Sequence, residues 1–123
     1  MPKSFTERRK ILKNANYLDL TPTRSYEYEK SEEGTISILV PKFTNILARK
    51  FILPLAKAKV VKIKLDRFGG ETWQLIDGKR KVDQIGKELV KIFGEDIQPV
   101  DERVTRFLTT LYEQRLISFN EIN

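Results

Sequence analysis

The chain has 123 residues and a formal charge of +6, with neither cysteine nor histidine. That length suits one modest domain, since domains commonly run to roughly 100–150 residues. The missing cysteine excludes a disulfide framework, a zinc-thiolate site and a thiol nucleophile, and the missing histidine removes the commonest general base. Only carboxylates, lysines, tyrosines and hydroxyls remain for chemistry, so the composition points away from an enzyme and from a bound metal or cofactor.

The charge is unevenly spread. Residues 1–41 carry 7 basic and 6 acidic side chains, residues 42–65 carry 7 basic and none acidic, and residues 66–123 carry 9 basic and 11 acidic. A basic stripe of this kind suits nucleic acid, an anionic membrane or an acidic peptide, and equally serves as a solubilising surface. No apolar run approaches the roughly 18 residues of a membrane span, and the start Met1-Pro2-Lys3-Ser4 lacks the apolar stretch of a signal peptide. The expected location is cytoplasmic.

In chain order, Ser4-Phe5-Thr6-Glu7 fits a capping box. A short helix to about Asn14 would bury only Phe5, Ile11 and Leu12, so residues 1–16 are expected as a basic appendage to a domain over residues 17–123. Tyr26 to Glu29 alternates apolar and charged residues, Ser31 to Gly34 is turn-like, and Thr35 to Val40 is rich in β-branched residues, which together predict a hairpin. Pro41 lacks the amide needed to continue a central strand. Phe43, Ile46, Leu47 and Phe51 share a helical face before Pro54, predicting a short basic amphipathic helix that suits packing on the domain's own sheet or a membrane or partner surface. A third strand follows at Val60–Leu65, with Val61, Ile63 and Leu65 on one face and Lys62 and Lys64 on the other.

The remainder predicts three helices. Asp66 caps the first, whose apolar members are Phe68, Trp73 and Ile76 and whose stop is Gly78. Gly69 and Gly70 weaken it by about 1 kcal/mol each relative to alanine, which points to close packing on the sheet. The second places Val82, Ile85, Leu89 and Ile92 on one face, with Gly94 past its end. The third begins near Pro99 and buries Val100, Val104, Phe107, Leu108 and Leu111; Leu116 and Ile117 close the core, with Phe119 and Ile122 trailing.

The order strand, strand, strand, helix, helix, helix, with Leu65-Asp66 leading into a helix that ends Trp73-Gln74-Leu75-Ile76-Asp77-Gly78, resembles the PqqD family. The likeness continues through Lys79-Arg80-Lys81-Val82 to Leu89, with isoleucine and leucine four apart, and ends with Val104, Phe107-Leu108, Leu111 and Leu116-Ile117. It spans about Tyr17 to Ile122. The implied fold class is α+β and winged-helix-like, a three-stranded antiparallel sheet followed by three helices. The implied role is that of a RiPP recognition element, also described as a peptide chaperone, of the kind used in PQQ biosynthesis. Such a module is non-catalytic and holds a precursor or leader peptide for a radical SAM or other peptide-modifying enzyme.

The resemblance implies that the peptide adds as a strand along Val60, Val61, Lys62, Ile63, Lys64 and Leu65, in a groove with the third helix. On that helix Arg103, Arg106, Phe107 and Thr110 are the expected groove residues, being close on one face and including two cations. Lys62 and Lys64 also fit protection of an edge strand from aggregation, and Phe107 also fits the core. Two features depart from the family pattern. An insertion of about 18 residues, Lys42 to Lys59, separates the second and third strands, and Lys81 stands where a serine or threonine cap is usual. The insertion carries much of the positive charge; it would cover the edge, enlarge the groove or bring two copies together as a homodimer.

The alternative function is a winged-helix DNA-binding protein, for which Lys79 to Lys91 offers Lys79, Arg80, Lys81, Lys87 and Lys91 against Asp83 and Glu88. No face there collects the basic and amide side chains of a recognition helix, so nucleic acid is the less favoured partner.

Overall fold

The computed structural model describes residues 6–7, 16–41 and 60–122. The expected capping box and helix over residues 4–14 lie outside them apart from Thr6 and Glu7, and so does the expected helix around Phe43–Phe51. Among the described residues from Tyr17 onward, five strands and three α-helices follow in order: β1 (Pro22–Arg24), β2 (Tyr28–Lys30), β3 (Ile36–Pro41), β4 (Val60–Lys64), α1 (Arg67–Leu75), α2 (Val82–Phe93), α3 (Val100–Glu113) and β5 (Ile117–Phe119). This is the expected α+β, winged-helix-like arrangement of an antiparallel sheet followed by three helices. The described residues divide into two compact units, one from Tyr26 to Gly70 and one comprising those up to Ser25 and from Glu71 onward.

The first unit holds the antiparallel sheet in the order β2-β3-β4. Its hairpin closes where the Ser31 carbonyl accepts from the Gly34 amide at 2.9 Å and the Ser31 hydroxyl accepts from the Thr35 amide at 3.0 Å. The β-branched run of β3 pairs on both sides, and its Ile36 and Ile38 are fully buried. Pro41 pairs with Val60 as the last residue of β3, consistent with its missing amide. Asp66 caps α1 as expected, its carboxylate accepting from the Gly69 amide at 2.7 Å. A Cβ on Gly70 would lie 3.1 Å from Ile36 Cγ1, so this glycine lets the first turn of α1 approach the sheet.

The second unit packs α2 and α3 around Ile85, Leu89, Val104 and Leu108, all fully buried. Helix α2 starts without a side-chain acceptor at Lys81, whose ammonium has no lone pair to offer, but the Gln84 side chain accepts from the Lys81 amide at 2.9 Å. Ile92, expected on the buried face, is instead 40 % exposed near the end of α2. On α3, Val100 and Phe107 are half-buried and Tyr112 is fully buried. The helix ends in a Schellman motif, with Leu116 N donating to Leu111 O at 2.9 Å, Arg115 N donating to Tyr112 O at 3.0 Å, and Arg115 in the left-handed region at φ 64.

The C-terminal segment differs from expectation. Phe119 does not trail; it is fully buried in β5, which pairs antiparallel with β1 in a second, two-stranded sheet. Its ring meets Tyr17 edge-on at 5.6 Å and Tyr112 at 5.1 Å. Because the Thr109 hydroxyl donates to Thr105 O at 2.6 Å, it accepts from the Tyr17 hydroxyl at 2.9 Å. Burial holds that tyrosine's pKa well above its ordinary value, although the bond to Thr109 acts in the opposite direction. The Glu121 carboxylate accepts from the Thr21 amide and from the Thr21 hydroxyl, both at 2.7 Å, fastening the strand pair beyond its last residue.

Helix α1 ends at Leu75, so Gly78 does not stop it directly but turns the chain three residues on, at φ 77. There the Gly78 amide donates to Pro22 O at 3.0 Å, its carbonyl accepts from Asn120 Nδ2 at 3.1 Å, and Asn120 Oδ1 accepts from the Thr23 hydroxyl at 2.9 Å. A Cβ at this position would lie 3.0 Å from Thr23 Oγ1. Gly78→Ala therefore combines a left-handed backbone with a clash inside that network, and a fall in stability of about 2 kcal/mol is expected, read as a lowered thermal midpoint.

Candidate functional site

The residues expected to receive a peptide lie on β4 and α3. Strand β4 pairs antiparallel with β3 in the register Lys64 to Ser37, Ile63 to Ile38, Lys62 to Leu39, Val61 to Val40 and Val60 to Pro41. Among the described residues no strand pairs with its other side, so β4 is an edge of the sheet. In an antiparallel ladder alternate residues exchange both backbone bonds with their partner, and those between turn their N–H and C=O the other way. Leu65 donates to Ile36 O at 2.9 Å, which puts Leu65, Ile63 and Val61 on the inward-bonding set. The amides and carbonyls of Val60, Lys62 and Lys64 consequently face the open edge. The same phase follows on the other side of β3, where Leu39 donates to Glu27 O at 2.9 Å.

Side chains follow the same alternation. Val61 and Ile63 share a sheet face with Val40 and the buried Ile38, whereas Val60, Lys62 and Lys64 stand on the opposite face. Val60 and Val61 are 38 % and 42 % exposed. Lys62 reaches across β3 to Glu29 on β2, Nζ to Oε1 2.8 Å, while Lys64 makes no ion pair among the described residues. Sequence reasoning grouped all six residues from Val60 to Leu65 as the docking strand. The register splits them, and the signal that separates them is the pairing phase, which strand periodicity alone does not carry.

On α3, Arg103, Arg106 and Thr110 are exposed, and Phe107 is half-buried at the boundary with the core. Arg103 Nη1 donates to Asp96 O at 3.0 Å, Arg106 pairs with Glu102 at 3.1 Å, and the Thr110 hydroxyl donates to Arg106 O at 3.1 Å. The spacing expected from sequence does bring these four side chains onto one helical face, opposite the buried Leu108 and Tyr112.

The rival basic surface over Lys79–Lys91 is largely neutralised locally. Arg80 pairs with Asp77 at 2.9 Å, Lys87 with Asp83 at 3.3 Å and Lys91 with Glu88 at 3.2 Å. The described residues contain no group of three or more acidic side chains placed to hold a metal ion. They also contain no helix long and apolar enough to cross a membrane.

An open edge strand of this kind offers backbone donors and acceptors to which an extended peptide can add as a further strand. The family profile described as Coenzyme PQQ synthesis protein D (PqqD) matches residues 51–117, just over half of the chain. The chain belongs to the PqqD family, whose members are non-catalytic recognition modules that bind RiPP precursor peptides and work with peptide-modifying enzymes. The match takes in β4 and all three helices but not the β2–β3 hairpin. No curated protein matches the chain, and no solved structure does.

Within the matched region Asp77 organises the turn into α2. Its carboxylate accepts from the Lys79 amide at 2.9 Å, the Arg80 amide at 2.8 Å and the Arg80 guanidinium at 2.9 Å. Partial desolvation works to raise its pKa, but the two amides and the Arg80 charge outweigh it and hold the pKa below the ordinary aspartate value. A depressed folded-state pKa stabilises the protein above the unfolded value, and that contribution is lost as pH falls through the folded one. Asp77→Asn is therefore expected to melt below the parent protein at neutral pH, with the gap closing in melts carried out progressively below about pH 4.

Proposed function

We propose that this chain holds the leader part of a precursor peptide by strand addition to the open edge of β4, presenting it to a radical SAM or other peptide-modifying enzyme in the cytoplasm. The observation that carries the reading is the outward set of backbone groups at Val60, Lys62 and Lys64. An extended peptide satisfies those donors and acceptors with its own backbone, and affinity then comes from main-chain bonds while neighbouring side chains select the sequence. The α3 face of Arg103, Arg106, Phe107 and Thr110 is proposed as a peptide-contacting surface in its own right. Residues 17–123 act as the recognition domain in this reading, with residues 1–16 an appendage and residues 42–59 an insertion.

Proline substitution tests strand addition directly. The Lys62 amide is not used in the β3–β4 ladder, so Lys62→Pro removes an outward donor from an edge strand while retaining the inward bonds. A precursor leader peptide that the parent protein binds is expected to bind Lys62→Pro at least about tenfold more weakly than Lys62→Gln, which loses the charge but keeps the amide. Equal binding by the two variants, both folded by circular dichroism, contradicts strand addition at β4.

A further inference from the structure

The β4 edge also specifies what kind of strand it accepts, an inference that rests on the strand-addition reading. Each outward-bonding residue sits directly opposite one residue of an added antiparallel strand, and the two side chains emerge on the same face. Lys64 and Lys62 therefore face two positions of the guest that are two residues apart. Lys64 lacks an ion pair among the described residues, and the Lys62–Glu29 pair is held at a surface where the side chains are 57 % and 47 % exposed. Such an exposed pair contributes little, leaving Lys62 able to share a second carboxylate. From Lys42 to Leu65 the chain contains no acidic residue of its own.

The intervening guest positions lie opposite Ile63 and Val61. In the new ladder these are the pairs without backbone bonds, where side chains approach most closely, with Cα atoms about 4.5 Å apart. Ile63 is half-buried and Val61 is 42 % exposed, so an apolar guest side chain removes water from both. Val60, 38 % exposed on the lysine face, sets a further apolar position opposite itself.

We propose that β4 selects a guest strand with the order acidic, apolar, acidic, apolar, apolar, running antiparallel from the position opposite Lys64 to that opposite Val60. Charge complementarity specifies the first and third positions, and the exposed valines with Ile63 specify the rest.

The test uses the full chain, nitrogen-15-labelled, and three synthetic peptides with Gly-Ser flanks whose centres read Glu-Val-Glu-Ile-Val, Gln-Val-Gln-Ile-Val and Lys-Val-Lys-Ile-Val. Binding is followed at the amides of residues 60–65. The glutamate peptide is expected to bind about tenfold tighter than the lysine peptide, with glutamine between them and the difference shrinking as salt is raised. In the variant Lys62→Glu/Lys64→Glu the order reverses. Equal affinities at β4, or an unchanged order in the charge-reversed variant, overturn the acidic–apolar specification while leaving strand addition in place. Absence of shifts at residues 60–65 with every peptide and with the natural leader overturns strand addition itself, and the specification with it.

Discussion

The antiparallel register between β3 and β4 determines which half of the β4 backbone is left for solvent. Once the Leu65 amide bonds to Ile36 O, the inward positions fall at Leu65, Ile63 and Val61, and Val60, Lys62 and Lys64 must turn outward. The same phase puts Ile63 beside the buried Ile38 and both lysines on the opposite face. A slip of one residue would exchange the faces and place two ammonium groups beside the buried isoleucines, a cost of several kcal/mol that pins the pairing. The edge chemistry is thus a consequence of burying β3 correctly.

The second unit is secured by different means. Its two short strands, β1 and β5, are too brief to be stable alone, and the ties beyond their ends make up the difference. Glu121 closes on Thr21, Asn120 bridges Thr23 and the Gly78 carbonyl, and Phe119 fills the space between Tyr17 and Tyr112. Trp73 is fully buried, yet among the described residues its indole N–H finds no hydrogen-bond partner. An unsatisfied buried donor costs about 1–3 kcal/mol, which the packing of this large ring must outweigh.

Much of this was legible in the residues. The alternation of Val60–Leu65, the β-branched run of Thr35–Val40, the Asp66 cap and the helical spacing of Val82, Ile85 and Leu89 are local signals, and each produced the expected element. What escaped was set by distant partners. Ile117-Ser118-Phe119 is three residues long and pairs with Pro22–Arg24 across nearly the whole chain, so no local window reveals it as a strand. Ile92 continues the apolar spacing of α2 but lies beyond the part of the helix that its neighbours cover. At the candidate site, the strand and the α3 face were readable from periodicity. The division of β4 into inward and outward backbone was not, because only pairing with β3 sets that phase.

Amide hydrogen exchange, residue by residue along β4, tests this assignment most directly. In the free protein the Ile63 amide, bonded to β3, should exchange more slowly than those of Lys62 and Lys64, which face outward. Saturation with a bound leader peptide should then slow Lys62 and Lys64 towards the rate of Ile63. Protection of Lys62 and Lys64 that is unchanged between the free and the saturated protein would contradict strand addition at β4.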